Sequence, residues 1–366
     1  MKNKIIYPVY EPLLGGNEIK YVIDCIESTW ISGKGAYLDR FESAFSKYIG
    51  VKKSTAVCNG TVALHLALEA LGIGEGDEII VPTLTYVASV NSITYTGATP
   101  VFVDCDADTW QISVEDVEKK ITGKTRGIMC VHLYGQACNM DDLVAISKKR
   151  NLFLIEDCAE AIGTLYNNKH VGSFGDIATF SFYGNKTITT GEGGMVVTNN
   201  ETLHERVLHL KGQGLAKYRE YWHDAVGYNY RMTNVSAAIG LAQFEQLEDI
   251  LSKKKNIAQW YSEAFSDSPF EFHSESENTV HSYWMCTILV PDTMDRDELR
   301  DHLAANGIET RPIFYPVHTM PIYAQKFEKH PISEMIARRG INLPSYPALT
   351  KEDVSHIVDK IFSFGS

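Results

Sequence analysis

The sequence predicts an α/β protein built on a mostly parallel, seven-stranded sheet with helices on both faces, followed by a smaller C-terminal α/β domain. Three observations carry this. Short β-rich runs alternate with helical patterns from about residue 54 to 200, as expected of parallel strands joined by crossover helices. A long helical stretch over 234–265 then carries the chain away from that region. With 366 residues, 44% hydrophobic and 22% charged, the chain can bury a sizeable core and divide into a large domain, 1–245, and a small one, 246–366.

The expected strands are 54–58, 78–81, 100–103, 127–133, 152–156, 178–182 and 194–198. Between them, 61–71 has apolar residues at helical spacing, and 113–121 opens with Ser113 and Asp116, which suit a helix N-terminus. Beyond 265 the pattern reads as strand 283–290, helix 296–305, strand 308–313 and helix 351–364.

Bulk properties exclude several classes. The opening Met1-Lys2-Asn3-Lys4-Ile5-Ile6-Tyr7 gives way at once to Pro8, so no leader pattern develops, and no apolar run is long enough to span a bilayer. Seven cysteines, odd in number and without a C-x-x-C pair, read as reduced thiols of a cytoplasmic protein. A formal charge of −12 argues against general binding of nucleic acid or anionic membrane, yet leaves room for a phosphorylated small molecule held by local donors.

Two glycine motifs fail on spacing. Gly72-Ile73-Gly74-Glu75-Gly76-Asp77 follows a helix and lacks the dinucleotide G-x-G-x-x-G, so it reads as a helix C-cap and turn. Gly123-Lys124-Thr125 resembles the end of a P-loop, but the earlier glycine that loop needs is Glu118. The histidines show no H-E-x-x-H spacing, so no catalytic metal is expected.

Four features fall where open α/β sheets bind ligands, at the carboxyl ends of strands. Asn59-Gly60-Thr61, between strand and helix, offers backbone N–H groups and a hydroxyl as a phosphate cradle, or is an ordinary N-cap. Leu154-Ile155-Glu156-Asp157-Cys158-Ala159-Glu160 ends an apolar strand in acids, one of which suits a cationic ring nitrogen or serves as a structural carboxylate. Lys186 follows the aromatic strand Phe180-Ser181-Phe182 and precedes Gly191-Glu192-Gly193-Gly194, a setting that can enclose a reactive amine, although most lysines are merely solvated. Tyr86, in Pro82-Thr83-Leu84-Thr85-Tyr86, can stack on a ring or pack.

Taken together, Asn59-Gly60-Thr61, Glu156-Asp157-Cys158-Ala159-Glu160, Phe180-Ser181-Phe182, Lys186 and Gly191-Glu192-Gly193-Gly194 resemble the sugar-nucleotide aminotransferases of pyridoxal phosphate (PLP) fold type I. The likeness runs in order through Gly227-Tyr228-Asn229-Tyr230-Arg231-Met232 and Glu309-Thr310-Arg311-Pro312. It implies that Lys186 forms the Schiff base, with pyridoxamine phosphate as an intermediate, and that Asp157 partners the pyridine nitrogen. It also implies that Glu160 lies near the ring hydroxyl, that Gly60, Thr61 and Ser181 hold the phosphate beside Asn59, and that Tyr86 covers the ring. Asn229 is implied to reach the phosphate of a neighbouring subunit, making a homodimer or higher homo-oligomer. Tyr183 stands where many relatives carry histidine.

Within the family the likeness is to members that pass the amino group of glutamate to C4 of GDP-4-dehydro-6-deoxymannose, for a cell-surface polysaccharide such as an O-antigen. Trp30, Ser32, Arg311 and His318 are the candidates for holding the nucleotide sugar; Arg311 reads equally as a domain-interface ion pair and His318 as a loop hydrogen-bonder. Three alternatives stand beside this: a UDP-linked 4-keto sugar as acceptor, a GDP-sugar 3-dehydratase, and a catalytically silent binding or regulatory protein on this fold, against which the intact Lys186 and Asp157 count. The dehydratases replace the Schiff-base lysine with histidine, so Lys186 counts against the second.

Overall fold

The computed structural model describes residues 4–325 and 328–364. Met1-Lys2-Asn3, where the leader reading begins, and the extreme ends of both expected domains lie outside those residues.

The first strands are β1 (Lys53–Val57), β2 (Glu78–Pro82), β3 (Thr99–Val103), β4 (Thr125–Val131) and β5 (Phe153–Asp157). Next come β6 (Leu165–Tyr166), β7 (Lys169–His170), β8 (Ile177–Ser181) and β9 (Gly194–Thr198). The last are β10 (Glu271–Phe272), β11 (Thr279–Val280), β12 (Cys286–Leu289), β13 (Arg311–Pro312) and β14 (Gly340–Leu343). Seven of them form one sheet in the order β1-β9-β8-β5-β4-β2-β3, in which β9 runs antiparallel to both neighbours and the other pairs are parallel. This is the sheet expected from the alternation.

Both of its faces are buried, as a parallel sheet joined by helices requires. Ile79 and Val81 pack under the helix Gly60–Leu71, while Ile80, Ile128 and Leu154 point to the opposite face. The helix Ala36–Ile49 places Phe41 and Phe45 against Phe180 and Phe182, with ring centroids 4.9 Å apart for Phe45 and Phe180. A second, antiparallel sheet, β10-β12-β14-β13, packs against the helices Leu247–Phe265 and Lys351–Phe362. A small sheet, β11-β6-β7, ties the two regions of sequence together.

Three expectations are corrected. The stretch 234–265 is two helices, Asn234–Glu245 and Leu247–Phe265, separated at Gln246, whose side-chain amide donates to Glu18 Oε1 at 3.1 Å; periodicity cannot see that tertiary anchor. Strand 127–133 stops at Val131, because Tyr134 takes a left-handed φ of 57° and turns the chain. In 308–313 only Arg311–Pro312 joins a sheet, and Ile308 instead bridges to Tyr7 of the N-terminal segment.

Candidate active site

Three strand ends meet at one point on the carboxyl edge of the sheet. After β1 the backbone of Asn59 is extended, and its side chain caps the helix Gly60–Leu71 by accepting the Val62 N–H at 3.0 Å. The Ala63 N–H goes to Asn59 O, and those of Gly60 and Thr61 have no partner among the described residues. Two glycines make the junction close: a Cβ on Gly60 would lie 2.7 Å from Ser181 Cβ, and one on Gly194 would lie 2.6 Å from Asn59 O. The result is a cradle of two free N–H groups and the hydroxyls of Thr61 and Ser181 at a helix N-terminus, where the partial positive charge favours an anion.

Asp157 ends β5 in this cleft, fully buried. Its Oδ2 accepts from Ser89 Oγ at 2.7 Å and its Oδ1 from the Ala159 N–H at 3.0 Å. Burial pushes its carboxyl above the usual range, against the pull of the Ser89 bond. Beside it in register, on the same face of the sheet, stands Thr179 of β8, whose buried hydroxyl has no partner.

Lys186 lies on the turn between β8 and β9, and the turn is gripped by distant segments. Tyr10 donates its hydroxyl to Lys186 O at 2.5 Å, and Trp284 Nε1 donates to Asn185 O at 2.7 Å. The amine Nζ donates to Glu160 Oε1 at 3.3 Å and sits 3.8 Å from the centroid of the Trp284 ring. Glu160 also accepts the Tyr134 N–H at 2.9 Å; burial raises its carboxyl and Lys186 draws it back. Tyr134, Trp284 and Phe314 stack behind the lysine, while Tyr86, half exposed, meets Phe314 with centroids 5.5 Å apart.

The remaining candidates scatter. Asn229 is exposed and accepts from Arg231 Nε and Nη2 at 3.2 and 3.1 Å. Trp30 and Ser32 are exposed side chains whose backbone carbonyls are held by Asn234. Arg311 is half exposed, with Glu309 3.5 Å away. Tyr183 presents its ring to solvent beside Ser181.

Of the two readings open for His318, the structure favours the loop hydrogen-bonder. It is 4% exposed, its Nδ1 accepts from Thr83 Oγ1 at 2.7 Å and its Nε2 faces Glu334 at 3.2 Å. Glu334 can only accept, so Nε2 carries the proton of a ring that burial keeps neutral, which leaves Nδ1 as the acceptor; Thr83 Oγ1 in turn accepts the His318 backbone N–H. Both ring nitrogens are therefore occupied, and the residue secures the loop that carries Thr85 and Tyr86 instead of offering a donor to phosphate.

One buried group, His132, Glu156 and Cys158, brings metal-type atoms together. The His132 and Glu156 lone pairs are committed to the fold: His132 bonds Glu156 and the Cys138 N–H, and Glu156 accepts the N–H groups of Gly172, Phe174 and Gly175. It is a hydrogen-bonded staple beneath Asp157, whose carbonyl accepts the His132 N–H.

Sequence reasoning missed Ser89, Tyr10 and Trp284. None sits in a local pattern that marks it, since each acts across a large sequence separation.

The fold and a lysine set against buried carboxylates define a PLP-dependent aminotransferase. Residues 12–362 match the DegT/DnrJ/EryC1/StrS aminotransferase family, and the chain belongs to that family. It is 61% identical to the GDP-perosamine synthase of Escherichia coli O157:H7 and 52% identical to that of Vibrio cholerae, with 98% of each chain covered in both cases. Among solved structures it is similar to Helicobacter pylori PseC, an aminotransferase involved in the biosynthesis of pseudoaminic acid (TM-score 0.92, 28% identity, 97% of this chain and 98% of that one). Spr1654 of Streptococcus pneumoniae in its PLP form is comparably similar (TM-score 0.92, 29% identity, 97% of each chain).

The residues present fit PLP. The two unpartnered N–H groups and two hydroxyls suit a phosphate, the buried carboxylate suits a pyridinium, and the Lys186 amine lies in the same cleft.

Proposed function

We propose that this chain transfers the amino group of glutamate to C4 of GDP-4-dehydro-6-deoxy-D-mannose, giving GDP-perosamine and 2-oxoglutarate for a cell-surface polysaccharide such as an O-antigen. The observation that carries the substrate is the 61% identity, over 98% of both chains, to a GDP-perosamine synthase. The test offers purified enzyme GDP- and UDP-linked 4-keto-6-deoxy sugars with glutamate and identifies the product by mass and NMR. Strong preference for the GDP sugar is expected; preference for a UDP sugar overturns the assignment.

PLP, when bound, supplies an electron sink that takes up the charge left at the donor's α-carbon. Lys186 would be its attachment point, and its Nζ would move the proton at the donor's α-carbon in one half-reaction and at C4 of the sugar in the other. Glu160, 3.3 Å away, receives the ammonium that results and confines its position. Asp157, itself buried, would keep the ring nitrogen protonated by pairing with it. Gly60, Thr61 and Ser181, with Asn59 shaping the turn, would hold the phosphate, and Tyr86 would cover the ring.

Trp30, Ser32 and Arg311 are the groups we assign to the nucleotide sugar, with His318 acting through the Thr83 loop. A second copy of the chain completes the site through Asn229. Supporting this, Ile19, Ile23 and Ile26 form an exposed apolar stripe on the helix Glu18–Glu27 (76%, 47% and 62%), continued by Trp30 and Ile31. The break at Gln246 supports a division into 1–245 and 246–366. A cytoplasmic location is supported by seven free thiols; among the described residues no helix is long and apolar enough to cross a membrane.

A further inference from the structure

We propose that Ser89, with Thr85 behind it, positions the Asp157 carboxylate and holds it ionised against the cofactor ring, so that these two hydroxyls are positioning residues of the amino-transfer site. The inference rests on the reading of Asp157 as partner of the ring nitrogen.

Counting donors and acceptors leads to it. An ionised carboxylate has about four lone-pair sites. In Asp157 the chain fills two, with the Ser89 hydroxyl at 2.7 Å and the Ala159 N–H at 3.0 Å. Ser89 is buried, and its single proton is directed to Asp157, which as a carboxylate has none to give. The neighbouring contact, Thr85 Oγ1 to Ser89 Oγ at 3.0 Å, must therefore run from Thr85 to Ser89. Thr85 is equally buried. The two O–H groups point the same way along one line that ends on the carboxylate, and each polarises the next.

Among the described residues no cation bonds Asp157 directly. Lys186 acts on it across the cleft and bonds Glu160, which is itself a carboxylate facing the same space. His132, below, is committed to Glu156. Ser89 is thus the one side chain among the described residues that bonds the anion, and it is the largest influence opposing burial.

Its placement is secured by the backbone. Ser89 stands in the first turn of the helix Val87–Tyr95, its N–H bonded to Tyr86 O at 3.2 Å and its carbonyl taken by Ser92 Oγ at 2.8 Å. Because Tyr86 is the N-cap of that helix, one short segment sets both the aromatic cover and the ionisation of the carboxylate.

The experiment uses PLP-loaded Ser89→Ala, Thr85→Val, Thr85→Ser, Asp157→Asn and parent enzymes. It records the pH titration of the bound cofactor's absorbance, PLP affinity by equilibrium dialysis and the single-turnover rate with glutamate. Loss of the Ser89 hydroxyl raises Asp157 further, so the acid limb of Ser89→Ala moves to higher pH, with a rate loss of roughly 10- to 100-fold. Thr85→Val shifts in the same direction by about threefold in rate, and Thr85→Ser restores the parent. A Ser89→Ala enzyme that is slow but has an unmoved titration overturns the proposal, as does parent-like behaviour of Ser89→Ala and Thr85→Val while Asp157→Asn is altered; the Asp157 reading then survives. If Asp157→Asn also behaves as parent, that reading falls and the relay with it. Should Ser89→Ala not fold, the Thr85 pair decides: equal titrations for valine and serine overturn the proposal.

Discussion

Lys186 Nζ lies 3.8 Å from the centre of the Trp284 ring while the indole N–H of the same residue holds Asn185 O at 2.7 Å. One side chain thus restrains both the reacting amine and the turn that presents it. The two functions separate by substitution. Trp284→Phe keeps an aromatic face and loses the tether, and is expected to lower the single-turnover rate with glutamate about threefold. Trp284→Leu loses both and is expected to cost roughly 10-fold or more. Equal rates for the two variants would show that the face contributes nothing.

Asp157 is a buried carboxylate raised by its desolvation, and this sets a trade between stability and function. A carboxyl whose folded pKa lies above its unfolded one binds protons more readily in the native state. The cofactor-free protein therefore loses stability as pH rises from the unfolded carboxylate range through the folded pKa. Asp157→Asn removes the charge and keeps the shape and one acceptor oxygen, for the Ala159 N–H; its NH2 faces Ser89 Oγ, whose hydroxyl turns to accept. Its cofactor-free form should melt higher than the parent at pH 7, by about 2 °C or more, while PLP should raise its melting temperature less. Differential scanning calorimetry with and without PLP reads both.

Gly60 is where the strand ends close on the cradle, and a methyl there would meet Ser181 Cβ at 2.7 Å. In Gly60→Ala, Ser181 must move. PLP affinity is expected to fall about 10-fold, corresponding to roughly 1.4 kcal/mol, with the far-ultraviolet circular dichroism unchanged. Equilibrium dialysis decides; unchanged affinity would show that the cradle tolerates displacement.

Lys254 is buried between Trp284 O at 3.1 Å and Ser345 O at 2.8 Å, and burial lowers its pKa to about 8. Between that value and the unfolded lysine range the unfolded chain binds the extra proton, so this group makes stability rise with pH across that window. Lys254→Met leaves two buried carbonyls unpaired and is expected to cost about 2 kcal/mol at pH 7. In urea titrations at pH 7 and pH 10, the rise attributable to Lys254 should be absent from the variant. The same rise in both would assign it to other groups.

Much of the site was readable along the chain because its parts are local. Asn59-Gly60-Thr61, the acids after β5 and Lys186 after β8 are each a strand end followed by a turn, and the order of such ends along an alternating chain places them on one sheet edge. The helix N-caps Asn59 and Ser113 were legible for the same reason, since a cap needs only residues three positions apart. What failed locally failed where a tertiary contact intervened: the break at Gln246 and the early end of β4. Likewise only the fold could choose between the two readings of His318, whose nitrogens are taken by Thr83 and Glu334.

By itself, then, the sequence determined the alternating architecture, the family and the residues of the strand-end cradle, because hydrophobic period, caps and short motifs are properties of neighbouring residues. Tertiary structure alone decided how the lysine is held. Tyr10 reaches it across 176 positions and Trp284 reaches the preceding carbonyl across 99, so neither leaves a trace in spacing. It also decided that Ser89, an ordinary serine in the first turn of a helix, ends on Asp157. Such partners are chosen by packing in three dimensions, where burial makes each unpaired polar group costly and so fixes which hydroxyl meets which acid.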